Sequence, residues 1–478
     1  MTNFQKILGL VAVPTLLLNS GCKNTDKKEV QNEKYNILFI AVDDLRPELG
    51  CYGQEHIHSP NIDELASEGV QFNRAYTQCP TSGPSRASIL TGIHESDHWR
   101  ADEMEEDFIT LPGYLKEHGY TTLSLGKVTH HMSDIQEAWS EAPWRSDSIY
   151  HGAKDWARYN TYGLWQNDSS KHYINEETHR GPYDEKADVP DIAYQDGRVA
   201  RKAVNELQKF QNSDSPFFLA VGFWRPHLPL NAPEKYWDLY NRQDIEIADN
   251  RSRPENLPDQ VSNSGEIFQY GRVEGYYNSD AFHRETRHAY YACVSYVDAQ
   301  IGKIMDALDK HGMTENTIVV LWGDHGWHLG ENNFWGKHNT LENAVRSPLI
   351  IKVPGNQTGE RDQLVGLVDM YPTLIDLTEF KKPSHLEGTS FKQLIKNPDA
   401  QGRDAVFSKF GGGNCVVTDR YLYTEWNEND STVARMLFDH KKDPNENKNV
   451  AGEPHYKEVV ERHSKILDDS FPYSSNSQ

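Results

Sequence analysis

Tyr35-Asn36-Ile37-Leu38-Phe39-Ile40-Ala41-Val42-Asp43-Asp44 is a continuous apolar run, rich in branched residues, that stops abruptly on a pair of acids. A strand that is apolar on both faces must be covered on both faces, the condition of a parallel strand inside an α/β sheet. Thr317-Ile318-Val319-Val320-Leu321-Trp322 repeats the pattern and leads into Gly323-Asp324-His325-Gly326. Open α/β sheets take their ligands beyond the carboxyl ends of the strands, so the two acidic termini can meet in one crevice. Alone, Asp43-Asp44 reads equally as a helix cap or as a ligand pair. With Asp324 added, the carboxylates repel one another unless a cation sits among them, and oxygen ligands suit calcium.

Other runs extend the frame. Thr121 to Leu125 precedes Gly126-Lys127, and Phe217 to Phe223 precedes Trp224-Arg225-Pro226-His227. Helical stretches lie between strands, among them Asn61 to Glu68 and Tyr296 to His311. This alternation predicts βαβ units: an α/β fold with a large, mostly parallel mixed sheet flanked by helices. From about Ala405 the runs shorten, as in Tyr421 to Trp426, which predicts a small antiparallel C-terminal subdomain. The stretches Trp139 to Tyr194 and Pro233 to Phe282 are rich in Trp, Tyr, His, Asp and Asn. Loops of that length are functional or disordered; their aromatic content argues for order, and substrate selection is expected there.

The chain has 478 residues, 37% of them hydrophobic, enough for one large core and a smaller satellite. Its net charge of −22 argues against nucleic acid or an anionic membrane surface as partner, so an anionic substrate needs a local basic pocket. Lys6 precedes an apolar stretch, Ile7 to Leu18, too short to span a membrane and followed by Leu18-Asn19-Ser20-Gly21-Cys22. This resembles a bacterial lipoprotein signal cleaved before Cys22, whose thiol would be acylated; a plain secretory signal is the other reading. The expected organisation is a signal over 1–22, a tether over 23–34, a catalytic domain over 35–400 and the C-terminal subdomain over 401–478. Export to the periplasm or outer membrane follows, with membrane contact only through the lipid. Cys51, Cys79, Cys293 and Cys415 are too sparse for a metal site or a disulfide framework.

Chemistry concentrates in Ser82-Gly83-Pro84-Ser85-Arg86-Ala87-Ser88-Ile89-Leu90-Thr91-Gly92. Pro84 is preset for a first helical position, which leaves Ser82 in a turn at the positive end of a helix. Free backbone N–H groups there favour phosphate or sulfate, and Arg86 adds a planar cation. A Ser-x-Pro sequence by itself is more commonly just a capped helix.

The whole string resembles the signature of type I, formylglycine-dependent sulfatases of the alkaline-phosphatase superfamily, in which a Cys or Ser two residues before Pro and four before Arg is oxidised. Cys79 has Thr81 where the Pro belongs, whereas Ser82 has Pro84, Ser85, Arg86, Leu90 and Gly92 in register. The resemblance therefore implies formylglycine at Ser82 and a serine-type formylglycine-generating maturation enzyme as partner. It implies one calcium held by Asp43, Asp44, the modified Ser82, Asp324 and His325. His325 replaces the commoner Asn, and with Trp224-Arg225-Pro226-His227 it resembles the iduronate-2-sulfatase branch. Gly126-Lys127-Val128-Thr129-His130 and Trp335-Gly336-Lys337-His338 match further family segments, and Leu437-Phe438-Asp439 with Asp443-Pro444-Asn445-Glu446 resembles its terminal signature.

What the resemblance implies chemically is a hydrated aldehyde with two hydroxyls on one carbon. One attacks sulfur; deprotonation of the other collapses the adduct, expels sulfate and restores the aldehyde. Arg86, Lys127 and Lys337 would hold the sulfate oxygens, and calcium would polarise one of them and help ionise the attacking hydroxyl. His227 would protonate the leaving sugar oxygen, with Lys337 close by, and His130 would be the base; His131 and His338 flank them. The expected substrate is a sulfated polysaccharide or oligosaccharide: uronic acid 2-O-sulfates of glycosaminoglycans, or algal polymers such as ulvan or carrageenan. His94, His98, Arg100 and Arg225 are candidate contacts to a substrate carboxylate. The rival readings are a phosphomonoesterase or phosphodiesterase using unmodified Ser82, disfavoured by a single metal's worth of ligands, and an inactive glycan-binding lipoprotein.

Overall fold

The computed structural model describes residues 1, 34–104, 108–146, 164–172, 178, 180–271, 273, 277–429 and 431–472. The expected signal segment with Cys22, and the tether up to residue 33, lie outside these apart from residue 1, as does part of the 139–194 stretch. Residues 34–478 form one compact unit.

Twelve strands precede the C-terminal region among the described residues: β1 (Asn36–Val42), β2 (Val70–Tyr76), β3 (Thr121–Gly126), β4 (Asp184–Ala187), β5 (Phe217–Phe223), β6 (Leu230–Pro233), β7 (Thr317–Gly323), β8 (His328–Leu329), β9 (Trp335–Gly336), β10 (Arg346–Lys352), β11 (Gly359–Arg361) and β12 (Val365–Gly366). The central sheet runs β11-β2-β10-β7-β1-β5-β3, with β12 also beside β2. Among these, β10 is antiparallel to both its neighbours and the other pairings are parallel. Two small pairs, β4 with β6 and β8 with β9, stand apart from it.

The apolar character of β1 is explained by what covers it. Leu38, Ile40 and Val42 pack into a layer built with the helices Gln195–Phe210 and Asp280–Lys310. Ile37, Phe39 and Ala41 point the other way, into a layer built with Ser82–Thr91 and Met370–Leu377. Alternation along the strand serves two cores at once, so no position from Ile37 to Val42 can be polar.

One helix differs from expectation. The stretch read as Tyr296 to His311 begins at Asp280, where the Ser279 hydroxyl accepts the Phe282 N–H at 3.2 Å. The apolar stripe of Phe282, Ala289, Tyr290, Cys293 and Val297 is continuous, but His283, Arg287 and His288 interrupt it in sequence while being buried themselves. Each is hydrogen-bonded, although His283 keeps Nδ1 without a partner: His283 Nε2 lies 2.8 Å from Asn278 Oδ1, Arg287 Nε donates to Leu329 O at 3.0 Å and His288 Nε2 to Trp237 O at 2.8 Å. Buried, bonded polar residues therefore hid the helical period.

At the C-terminal end, β13 (Ala405–Phe410), β14 (Gly413–Thr418), β15 (Tyr421–Glu428) and β16 (Ser431–Asp439) form an antiparallel meander. One face packs on Tyr76, Leu341 and Val345 of the main body, the other on the helix Lys457–Ser470.

Candidate active site

Four neighbouring parallel strands, β7, β1, β5 and β3, end along one edge of the sheet, with Val42 level with Gly323 and Phe223, and Gly126 level with Gly222. Each is followed at once by residues with chemical potential: Asp324-His325, Asp43-Asp44, Trp224 to His227, and Lys127. The exit of β3 is tight. Lys127 N donates to Gly222 O at 2.8 Å, and a Cβ on Gly222 would lie 2.1 Å from the Lys127 carbonyl, so the crossing needs glycine there. The fifth contribution follows β2: Thr81 is extended, the helix runs Ser82–Thr91, and Gly92 in the left-handed region ends it by donating to Ser88 O at 2.8 Å. Ser82 is thus the first helical residue rather than part of the preceding turn.

Ser82, Asp43, Asp44, Asp324 and His325 come together there. Ser82 Oγ lies 2.9 Å from Asp43 Oδ1 and 3.1 Å from His325 Nε2. His325 Nδ1 donates to Gly326 O at 2.9 Å, which leaves Nε2 as the ring's lone-pair nitrogen facing the cluster. Ligand atoms of Asp43, Asp44, Asp324 and His325 all lie within 4.8 Å of one another. Asp44 Oδ2 is buried without a hydrogen-bond partner. A buried carboxylate oxygen left unpaired beside two further acids and an imidazole is a donor set that fits a metal ion.

Cations surround this cluster. Arg86 Nη2 lies 3.0 Å from Asp324 and 3.2 Å from Asp43. Lys127 Nζ is bonded to Asp43 Oδ2, and Lys337 Nζ lies 2.6 Å from Asp44 Oδ1 and 3.3 Å from Glu266. Burial alone would raise the Asp43 carboxyl, but Lys127, His227 and Arg86 together hold it well below its usual range. Burial also pulls the Lys127 ammonium down, against Asp43, and the crowding cations Arg86 and Lys337 add to the fall. Such crowding is relieved by an anion. Burial raises Asp324, opposed by Arg86 and reinforced by the Asp43 charge.

A cavity of about 450 Å³ opens over these groups, lined by Ser82, Lys127, His130, His227 and Lys337. Burial, then Lys127 and His131, hold His130 well below its ordinary value, so it is a neutral imidazole, and its Nδ1 is buried with no hydrogen-bond partner. His227 donates from Nδ1 to Leu228 O at 2.7 Å and places Nε2 3.2 Å from Glu266. Both ring nitrogens thus face acceptors, the arrangement of a proton donor. His131 and His338 line the cavity too. Sequence reasoning singled out none of Glu266, Trp99, Arg180, Gln269 and Tyr270, which also line the wall, although Arg180 and the trio Glu266, Gln269 and Tyr270 fall within the two stretches, 139–194 and 233–282, expected to select substrate.

The four residues expected to meet a substrate carboxylate do not line this cavity. His94 pairs with Glu387 at 3.1 Å, His98 with Glu95 at 2.9 Å, and Arg100 with Asp102 at 2.6 Å and the Ser133 hydroxyl at 2.7 Å. Arg225 is buried and donates to His227 O at 2.7 Å, so it holds the loop that carries the histidine. In each case a local acceptor takes up the side chain's donor. Cys79, the competing register, is buried with its thiol pushed up to about 12 and does not reach the cavity wall.

The sulfatase family model matches residues 35–380, and that of the N-sulphoglucosamine sulphohydrolase C-terminal region matches 330–470. Iduronate 2-sulfatase of Mus musculus is 34% identical over 428 residues, covering 79% of this chain and 75% of that one. A sulfatase of Formosa agariphila is 32% identical over 468 residues, covering 93% and 89%. In fold, the phosphonate monoester hydrolase of Agrobacterium radiobacter superposes with a TM-score of 0.72 at 19% identity, over 91% of this chain and 95% of that one. The chain belongs to the sulfatase family and is a sulfuric ester hydrolase.

Proposed function

We propose that the protein removes sulfate from sulfated polysaccharides or their fragments, with 2-O-sulfated uronic acids as the first candidates and algal polymers such as ulvan or carrageenan as the second. The observation that carries the reading is the convergence on Ser82 of an acid cluster, paired cations and two histidines in distinct environments. The likeness to iduronate 2-sulfatase supports the choice of sugar.

Calcium fits the cluster of Asp43, Asp44, Asp324 and His325, and when bound it supplies charge that polarises a sulfate oxygen. Ser82, converted to formylglycine by a serine-type maturation enzyme, supplies the nucleophile as its hydrated aldehyde. Lys127 and Lys337 bind the sulfate oxygens and offset the charge that builds during transfer. Arg86, expected to join them, is buried outside the cavity wall with its N–H groups on Asp324, Asp43 and the Lys127 and Val128 carbonyls, and so positions the acid cluster instead. His227, presenting a proton from Nε2, protonates the departing sugar oxygen. His130, kept neutral by burial, accepts the proton whose removal releases sulfate.

A phosphate-ester hydrolase on this fold is the second reading, favoured by the shared architecture with a phosphonate monoester hydrolase. Against it, the ammonium of Lys337 lies between Asp44 and Glu266, where a second divalent ion of a two-metal clamp would have to sit. Mass analysis of the peptide carrying Ser82, from a host with serine-type maturation, tests the choice: an alcohol oxidised to an aldehyde is expected at Ser82 and not at Cys79. Ser82→Ala should abolish sulfate release while Cys79→Ser retains most of it. An unmodified Ser82 in fully active protein would favour the phosphatase reading.

We also propose export and acylation at Cys22, on the strength of the Leu18 to Cys22 sequence. Labelling with a fatty acid should mark wild type and not Cys22→Ala; equal labelling of both would remove the anchor.

A further inference from the structure

We propose that Trp99 is the platform on which the sulfated sugar stacks, and that Gly83 and the clamped segment 94–102 exist to hold it there. The proposal rests on the reading of the substrate as a glycan. The catalytic groups account for the floor of the cavity but give no use for an aromatic ring, and yet Trp99 lines it while 45% exposed. The cavity, at about 450 Å³, has the size of pockets that take whole small molecules, on the order of 300–1,000 Å³. Most of it must therefore receive the group that carries the sulfate.

The placement of the indole is built. It lies against Gly83, the residue next to the nucleophile: a Cβ there would fall 2.7 Å from Trp99 Cε3 and 3.0 Å from Cδ2. Glycine at this position lets the ring approach the start of the Ser82–Thr91 helix. The ring's other neighbour is His130, in edge contact at 4.9 Å and 68°. The chain on either side is tied down by Glu95 and by two of the residues expected to touch substrate, His98 and Arg100. Glu95 accepts the backbone N–H groups of Ser96 at 2.6 Å and His98 at 3.0 Å, and the His98 ring at 2.9 Å. Arg100 is fixed to Asp102 and Ser133. An aromatic face that is rigid, open and beside the nucleophile suits one class of leaving group, a pyranose whose C–H face is apolar and whose rim is hydroxylated. Gln269 and Arg180, whose guanidinium lies 4.9 Å over the Tyr270 ring, line the same cavity and are polar enough to meet that rim.

The test compares Trp99→Ala, Trp99→Phe and Gly83→Ala with wild type, all matured, on a 2-O-sulfated uronate oligosaccharide, with inorganic sulfate as a competitive inhibitor that reaches only the floor. Trp99→Ala should raise KM for the saccharide by about tenfold, Trp99→Phe by less, and neither should shift inhibition by sulfate. Gly83→Ala, which keeps the indole but displaces it, should resemble Trp99→Ala. Desulfated oligosaccharide should perturb the tryptophan fluorescence of wild type, and that change should vanish in Trp99→Phe. An unchanged saccharide KM in Trp99→Ala, or an equal loss of affinity for inorganic sulfate, would overturn the platform. Wild type that hydrolyses a small sulfate ester but no sulfated saccharide would overturn the glycan reading itself, and this proposal with it.

Discussion

Replacing Tyr290 by Phe removes one hydroxyl from a buried ring and should loosen the metal site without touching a ligand. The hydroxyl donates to Asp44 O at 2.7 Å and accepts the Arg46 N–H at 3.1 Å, so it fastens both sides of the turn that leaves β1. Asp44 occupies the left-handed region with φ of 58°, and its own N–H is held by Asp324 Oδ1 at 3.1 Å. A non-glycine residue costs about 1–3 kcal/mol in such a conformation and keeps it only where the surroundings over-determine it. Without the hydroxyl, Asp44 relaxes in the metal-free protein and the ion must restore the strained turn. That cost, at about 1.4 kcal/mol per tenfold, weakens calcium binding on the order of tenfold to a hundredfold. The ring should stay in place, since it is fully buried and stacks on Trp327 at 5.5 Å and 16°. The assay is calorimetric titration of calcium into metal-free wild type and Tyr290→Phe, with kcat measured across calcium concentrations. Saturating calcium should restore most of kcat. Equal affinities in two folded proteins would refute the argument that the turn needs this anchor.

Three further outcomes follow from the same geometry. His227→Ala should damage turnover of a sulfated saccharide by roughly a hundredfold or more, and that of an aryl sulfate far less, because a phenolate leaves without a proton; equal losses would assign His227 to sulfate binding instead. Arg225→Met, which frees the His227 carbonyl, should reproduce the same substrate contrast more weakly, and an aryl-sulfate loss as large as the saccharide loss would deny it that positioning role. His328, buried and pushed down to about 4 by burial, should make the fold acid-sensitive. The unfolded chain takes up that proton near pH 6.5 and the folded chain only near 4, so stability is level above about 6.5 and falls below it, by roughly 3 kcal/mol at pH 4. His328→Gln should flatten part of that slope in melting curves between pH 4 and 7, and an unaltered slope would assign the sensitivity elsewhere.

The sheet and most of the catalytic floor were legible because each rests on a local rule. Residues Ile37 to Val42 admit no polar position, and the next residues, Asp43 and Asp44, stand where a parallel strand delivers ligands. The same rule located Lys127, His227 and Asp324. It failed for Glu266 and Trp99, which lie on irregular loops that no periodicity marks, and whose place in the cavity depends on contacts from distant segments. It misled for His98 and Arg100, where basic residues near the motif suggested anion binding while the acids that bond them, Glu95 and Asp102, stood within three residues. The long helix from Asp280 was half hidden because buried histidines and arginines look like surface in a sequence.

The three cations bonded around Ser82 are each matched to a carboxylate in the resting protein: Arg86 with Asp43 and Asp324, Lys127 with Asp43, Lys337 with Asp44 and Glu266. Stray anions therefore find no naked charge among these groups. Occupancy of the acid cluster and occupancy of the anion pocket must then be thermodynamically linked. An ion that draws the aspartates toward itself loosens their hold on the lysines, and a dianion that captures the lysines returns the aspartates to the ion. By reciprocity the factor is the same in both directions, so the enzyme should hold its metal most firmly while sulfate is bound and be most easily stripped of it between turnovers.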